Sequence, residues 1–261
     1  DWQKDIQGKW FEHDVEVMLT LGLIAGHDDG TFRPNDPLTR AQYCAVMRRY
    51  LEAEGHEPIL EALRSLVYIH TRVISNGKAA IQRGSGFWLP GWRVMTNAHV
   101  VEDLDTSVRT DRIDVYGNPS AYFSPIDPMP ATPLVIAHEH DLAVLEVKKP
   151  GYQIDARAVQ FADGEPEQGQ TVWAAGNPYG HAWDLCKGII RHPERYLNYW
   201  QRTQRAYGLD VPINPGNSGG MLIDYLGRVV GVPSAGIMGA NNMTFAVPLA
   251  SVKEVLARCH S

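Results

Sequence analysis

Asn214-Pro215-Gly216-Asn217-Ser218-Gly219-Gly220 places a serine inside a loop in which five of seven residues are Gly, Pro or Ser. Glycine adopts backbone angles closed to other residues, so such a loop can hold neighbouring N–H groups convergent. Ser218 would stand exposed beside the N–H groups of Gly216 and Ser218. Acyl transfer needs that arrangement: a nucleophile about 3 Å from donors aimed at a developing oxyanion. The alternative reading of the segment alone is a glycine turn between strands, which this pattern favours less.

A serine hydroxyl is a weak nucleophile and requires a base. Ten histidines are available. His99 stands out because Thr96-Asn97-Ala98-His99-Val100-Val101 directly follows the expected strand Trp92–Met95, and small Ala98 leaves room for the ring. A base of this kind needs a buried carboxylate to fix its tautomer. Asp141 fits, at the mouth of the apolar strand Leu142–Val147. Each of these two residues, alone, is more often structural than catalytic. Together their order is His99, Asp141, Ser218, the chain order of chymotrypsin and not that of subtilisin or the α/β-hydrolases. That order suits two packed β-barrels, the first supplying His and Asp and the second Ser.

The surrounding pattern agrees. Short β-branched or apolar runs occur at Leu66–Ile74, Phe87–Leu89, Trp92–Thr96, Leu142–Val147, Val172–Ala175, Gly188–Ile190, Met221–Ile223, Val229–Val232 and Thr244–Val247. Gly, Pro, Asn or Asp separate many of them, which predicts an all-β sandwich or barrel. Ile59–Arg64 reads as a short helical connector and Leu249–Arg258 as a closing helix. The first 55 or so residues differ. They carry a net charge of −4 out of −6 for the whole chain. Residues 10–21 and the stretch from Thr39 to Tyr50 have helical spacing, and the turn-rich stretch Gly26–Pro37 lies between them. A helix–loop–helix this small needs support from a neighbour.

Composition narrows the function classes. The chain has 261 residues, 44% hydrophobic and 21% charged, with 24 basic against 30 acidic side chains. That balance removes the electrostatic argument for a nucleic-acid partner. No run of about 20 apolar residues predicts a membrane span. Cys44, Cys186 and Cys259 are odd in number, far apart and without metal spacing; all three are read as small buried residues. The chain begins at Asp1 and shows no apolar leader, which implies a removed start and leaves the export route unread.

Residues 66–250 resemble a trypsin-like serine protease of the bacterial HtrA/DegP type. The matching segments are Gly84-Ser85-Gly86-Phe87, Thr96–Val101, Asp141-Leu142-Ala143-Val144, Gly176-Asn177-Pro178-Tyr179-Gly180, Ile213–Gly220 and Phe245-Ala246-Val247-Pro248. The resemblance implies two six-stranded antiparallel barrels of the chymotrypsin kind. It also implies His99 as general base, Asp141 as its orienting acid, Ser218 as nucleophile, and an oxyanion hole from Gly216 and Ser218. By the same resemblance Pro212 and Ile213 form the base of the substrate pocket. Pro233, Ser234 and Ala235 form its wall, and Thr244 lies near its floor. No acid lies at the base, so small or medium aliphatic residues are expected before the scissile bond. Asn217 stands where digestive trypsins carry the acid that receives a new N-terminus, so activation by cleavage is not expected. The family's usual PDZ domains do not follow, since the chain ends at Ser261, and their regulation is not carried over.

The front segment is similar to an S-layer homology motif. The match rests on Trp10, Gly22–Gly26, Asp28-Asp29-Gly30-Thr31-Phe32-Arg33-Pro34-Asn35 and Leu38-Thr39-Arg40-Ala41. It implies that Trp10 and Arg40 face an anionic cell-wall glycan, Arg being suited by its planar fork. Gln42 replaces the Glu that usually closes the signature. Such motifs commonly work in threes, so a single copy implies assembly as a homo-trimer, or else simple packing on the protease.

The expected organisation is an S-layer homology-like helical domain at 1–57, a connector at 58–65 and a protease domain at 66–261. The expected function is a serine endopeptidase of protein or peptide substrates, extracellular and associated with a bacterial cell surface, with no cofactor and no metal. Two alternatives share these features: a wall-binding protein with a catalytically idle protease fold, and a cytosolic or phage-borne processing protease. Lesser candidates read as structure. His138-Glu139-His140 is a solvent-facing loop before it is a metal site. Phe87, Trp88 and Trp92 are barrel packing. Trp183, Tyr196, Tyr199 and Trp200 either shape a substrate or partner surface or cover the second barrel.

Overall fold

In the strand Leu66–Ser75 (β1), Val67, Ile69, Thr71 and Val73 are buried while Tyr68, His70 and Arg72 face outward. This period of two marks a sheet with one covered face. A computed structural model describes residues 7, 9, 15, 31–33, 46, 57–75, 77–102, 108–117, 128–151, 154, 156–177, 184–199, 202–236 and 244–259. The helix Glu57–Leu63 (α1) precedes β1. Strands β2 (Lys78–Leu89), β3 (Arg93–Thr96), β4 (Val108–Tyr116), β5 (Met129–Ala137) and β6 (Leu142–Val147) close a barrel with β1, in the order β1-β2-β3-β6-β5-β4. A second barrel joins β7 (Thr171–Gly176), β8 (Asp184–Tyr199), β9 (Arg202–Leu209), β10 (Met221–Ile223), β11 (Val229–Gly236) and β12 (Thr244–Pro248), in the order β10-β11-β12-β9-β8-β7. Every strand pair in both barrels is antiparallel. The two six-stranded barrels and the closing helix Leu249–Arg258 (α3) agree with the expected chymotrypsin-like architecture.

Each barrel has its own apolar core. Val67, Ile69, Trp88, Val94, Ile113 and Leu145 fill the first, and Val172, Ile190, Tyr207, Leu222, Val230 and Ala246 the second. Trp88 is fully buried, with Trp92 edge-on to it at 5.7 Å. At roughly 25 cal/mol per Å² of buried apolar surface, these two cores dominate the stabilisation of the barrels.

Register sets the site. In the β3–β6 pair, Thr96 lies opposite Ala143, so β3 ends where β6 begins. The residues just past one and just before the other, His99 and Asp141, therefore share one barrel edge. In the β10–β7 pair, Met221 lies opposite Ala175, which brings the loop ending at Gly220 beside the exit of β7.

Several local expectations need correction. Strands β4, β5 and β9 do not appear among the short apolar runs. Their outward positions hold charged residues or prolines, such as Asp111, Asp114, Pro130 and Pro133, which hide the alternation. Strand β3 starts at Arg93, not Trp92, because Trp92 has a left-handed φ of 60° in the turn after Gly91. Cys186 and Cys259 are half-buried rather than buried. Tyr196 is 67% exposed, on a β8–β9 ribbon, and does not cover the barrel.

The chain divides into two compact units, Asp1–Leu60 and Glu61–Ser261. The expected helices at 10–21 and 39–50 lie almost wholly outside the described residues, as do Trp10, Arg40, Cys44, Trp183, Trp200 and the side chain of Tyr199. No helix among the described residues is long and apolar enough to cross a membrane. None of the described His, Cys, Asp and Glu side chains form a cluster able to hold a metal.

Candidate active site

His99 sits on a single helical turn, Ala98–Val101 (α2), whose buried Ala98, Val100 and Val101 pin it to the first barrel. Gly84 leaves the space for Val100, since a Cβ there would fall 2.5 Å from the valine side chain. The His99 Nδ1 lies 2.9 Å from Asp141 Oδ1 and 2.8 Å from Oδ2, and the His99 backbone N–H donates to Oδ1 at 3.1 Å. Asp141 is only 3% exposed. Its φ of 53° is left-handed, which costs a non-glycine residue on the order of 1–3 kcal/mol and needs support from its surroundings. Asn97 Nδ2 supplies some by donating to the Asp141 carbonyl at 2.7 Å. Burial pushes the His99 imidazole pKa down, but the Asp141 charge and hydrogen bond outweigh it and hold the group above its ordinary value.

Ser218 comes from the second barrel. Its loop is folded by two tight turns, Asn217 N–H to the Asn214 carbonyl and Gly220 N–H to the Asn217 carbonyl, both 3.0 Å. Gly216 and Gly219 take φ of 105° and 82°, angles that favour glycine. Gly219 is also sterically required, since a Cβ there would lie 2.3 Å from the Ser85 carbonyl and from Thr96 Oγ1. The Ser218 hydroxyl donates to the Ser234 carbonyl at 2.9 Å. The Ser234 hydroxyl donates to Asp141 Oδ2 at 2.5 Å. Ser234 thus links nucleophile and acid, and His99, Asp141, Ser234 and Ser218 form one connected cluster across the two barrels.

Ser85 fastens the loop from the other side. Its hydroxyl donates to the Gly216 carbonyl at 2.7 Å and accepts the Asn177 N–H at 2.8 Å, while its N–H donates to the Ser218 carbonyl at 2.9 Å. Asn177 Nδ2 reaches the Val67 carbonyl at 2.9 Å. The supporting roles of Ser85, Asn97, Asn177 and the Ser234 hydroxyl were not legible in the sequence. The signal nearest to them is the glycine pair around Ser85, which marks a close approach without saying to what.

The other expected site residues have contacts of their own. Pro212 is exposed, Ile213 packs partly on the second core, and Pro233 accepts the Gly219 N–H at its carbonyl. Ala235 continues β11, and the buried Thr244 donates its hydroxyl to the Val211 carbonyl at 2.7 Å. His138, Glu139 and His140 form the turn before Asp141; His138 Nε2 lies 3.4 Å from Glu102, Glu139 pairs with Arg258, and His140 Nε2 lies 3.2 Å from Glu254. Burial, with Asp184 beside it, pushes the Cys186 thiol up to about 11, away from a reactive thiolate.

Comparison with known proteins gives the same outline. A family profile described as a trypsin-like peptidase domain matches residues 84–232, more than half of the chain. A second, for an S-layer homology domain, matches residues 4–44. The chain is 32% identical over 178 residues to the mitochondrial protease Do-like 4 of Arabidopsis thaliana, covering 66% of this chain and 31% of that protein. It is 30% identical over 181 residues to an HtrA-like serine protease of Staphylococcus epidermidis, covering 62% and 27%. It therefore spans about a third or less of the length of these relatives. The active form of the Rv3671c protease from M. tuberculosis superposes with a TM-score of 0.65 at 24% identity, covering 79% of this chain and 86% of that one, a likeness of fold.

Proposed function

This chain belongs to the trypsin-like peptidase family, and we propose that it is an HtrA-like serine endopeptidase whose reaction runs through Ser218, His99 and Asp141. The observation that carries this is the His99 ring held by both Asp141 carboxylate oxygens, with Ser234 joining that carboxylate to Ser218. The Ser218 hydroxyl turns from the Ser234 carbonyl to His99 Nε2, gives up its proton and attacks the scissile carbonyl carbon. The negative oxygen that forms is met by the N–H groups of Gly216 and Ser218. His99 passes its proton to the leaving amine, then draws a proton from the water that hydrolyses the acyl-enzyme. The N–H hole and substrate binding alone leave a small residual rate in a serine-free variant. Casein digestion and labelling by a fluorophosphonate should both occur with the wild-type chain and both vanish in Ser218→Ala. An unlabelled, inert wild-type protein would instead favour the idle-fold alternative.

Substrate selection is assigned, on the family resemblance, to Pro212, Ile213, Pro233, Ser234, Ala235 and Thr244. None is acidic, and the hydroxyls of Ser234 and Thr244 are already engaged with Asp141 and Val211. By residue type, Pro212, Ile213, Pro233 and Ala235 are apolar. Small or medium aliphatic side chains suit them, with shallow discrimination because one methylene is worth only about 1–3 kcal/mol. A peptide-library digest should show cuts after Val, Ala or Leu; cuts mainly after Arg would overturn this assignment.

The S-layer homology match supports association with the cell wall or surface. Trp10 and Arg40 are the residues proposed to meet an anionic wall polymer, and three chains the unit that completes a three-fold site. Co-sedimentation with purified cell walls should be lost in Arg40→Ala. Light scattering should give three times the chain mass; a strict monomer removes the trimer.

A further inference from the structure

The turn that carries Asp141 is gripped from outside the site. Helix α3 buries Leu249, Val252 and Val255 and packs against β11 and β12 of the second barrel and β5 and β6 of the first. Its polar face meets the β5–β6 turn. The Arg258 guanidinium bonds Glu139 at 2.5 Å and Glu254 at 2.7 Å, and Glu254 reaches His140 Nε2 at 3.2 Å. The two residues before Asp141 are thereby closed into one ring with the last turn of α3. On its other flank the turn is tied by Gln204 of β9, which donates to the His138 carbonyl at 3.0 Å, and by Glu102, 3.4 Å from His138 Nε2.

Accepting the hydrolase reading above, we propose that Arg258 and Glu254 are positioning residues for Asp141, and that α3 is a strap joining the second barrel to the acid of the first. These side chains are about half exposed, 40% for Arg258 and 56% for Glu254. Exposed ion pairs add little to folding. Asp141, however, is held in a left-handed backbone conformation that relaxes unless its neighbours oppose it. A force too weak to matter to the fold, applied one residue away, is enough to change how closely the carboxylate meets His99. The charge and hydrogen bond of that carboxylate are what hold the imidazole proton.

The test uses the full chain. The His99 ring is titrated by NMR, its signal assigned by its loss in His99→Gln, alongside the pH profile of kcat/KM on a peptide. In Arg258→Gln and Glu254→Gln the His99 midpoint should fall by about half a pH unit, kcat should drop several-fold and KM should hold. Arg258→Lys should recover most of the shift. Melting temperatures should stay within about 2–4 °C of wild type. An unmoved His99 midpoint in both variants overturns the strap, and so does a large loss of melting temperature, which would make the contacts structural. A wild-type chain that hydrolyses nothing while the midpoint still moves would sink the hydrolase reading and leave the strap standing.

Discussion

Ser234 touches two members of the cluster at once, its hydroxyl on Asp141 and its carbonyl on the Ser218 hydroxyl. A hydrogen bond to a charged group contributes about 1.5–3 kcal/mol. Ser234→Ala should therefore lower kcat/KM by roughly 10–100-fold with little change in folding, as read from steady-state kinetics. The Asp141–His99 pair sets the pH dependence. A base must be neutral to accept a proton, so the rate should rise with pH through a midpoint above 6.5. Because the folded state holds this proton more tightly than the unfolded chain, the pair's stabilisation is present at low pH and lost as pH rises through that midpoint. In Asp141→Asn only desolvation remains, so the midpoint should fall below 6.5 and kcat should drop on the order of 10⁴-fold, the tautomer being wrong. A pH–rate profile of the two forms checks both statements. The residues of the proposed triad were legible in the sequence because their order and flanking motifs are specific. Ser85, Asn97 and Asn177 were not, since a buried Ser or Asn is defined only by partners 44 to 131 positions away.

At the scale of elements, the two barrels also meet through backbone groups with no room between them. Gly219 lies against the Ser85 carbonyl with no room for a side chain. Gly219→Ala should force apart the β2 segment and the 214–220 loop. Loss of fluorophosphonate labelling together with a lowered denaturant midpoint would show it, and an active, equally stable variant would refute it. Helix α3 starts at Leu249 without a side-chain N-cap of its own. Its first N–H groups are taken by the Tyr207 hydroxyl at 3.1 Å and by Glu165 at 2.8 Å. Burial pushes the Tyr207 phenol pKa far up, so the hydroxyl stays protonated and also donates to Glu165 at 2.7 Å. Tyr207→Phe leaves the Leu249 N–H buried and unmet, and should destabilise the protein by about 1–3 kcal/mol in urea unfolding. Strands with continuous apolar runs, such as Leu142–Val147, could be read directly. Strand β4 could not, because its outward Asp111 and Asp114 conceal an inward Ile113 and Val115.

Across the whole molecule, every member of the proposed site lies within Glu61–Ser261, while the S-layer homology match lies within Asp1–Leu60. A chain beginning at Glu57 should keep its peptidase kcat/KM within about two-fold, the spread left by surface changes of ±0.5 kcal/mol. The same chain should fail to co-sediment with cell walls. Equal loss of both activities would show that the two units act as one. The sequence by itself determined the family, the use of two barrels, the three residues proposed for catalysis and their division between barrels. It could do so because backbone approach and strand alternation impose glycines and apolar residues at set positions. Only the tertiary structure decided that the Ser218 hydroxyl rests on Ser234, that Ser85 ties the two barrels, and that Arg258 reaches the turn bearing Asp141. Those contacts are between polar side chains and groups remote in sequence, and polar residues leave no periodic trace until folding gives each a partner.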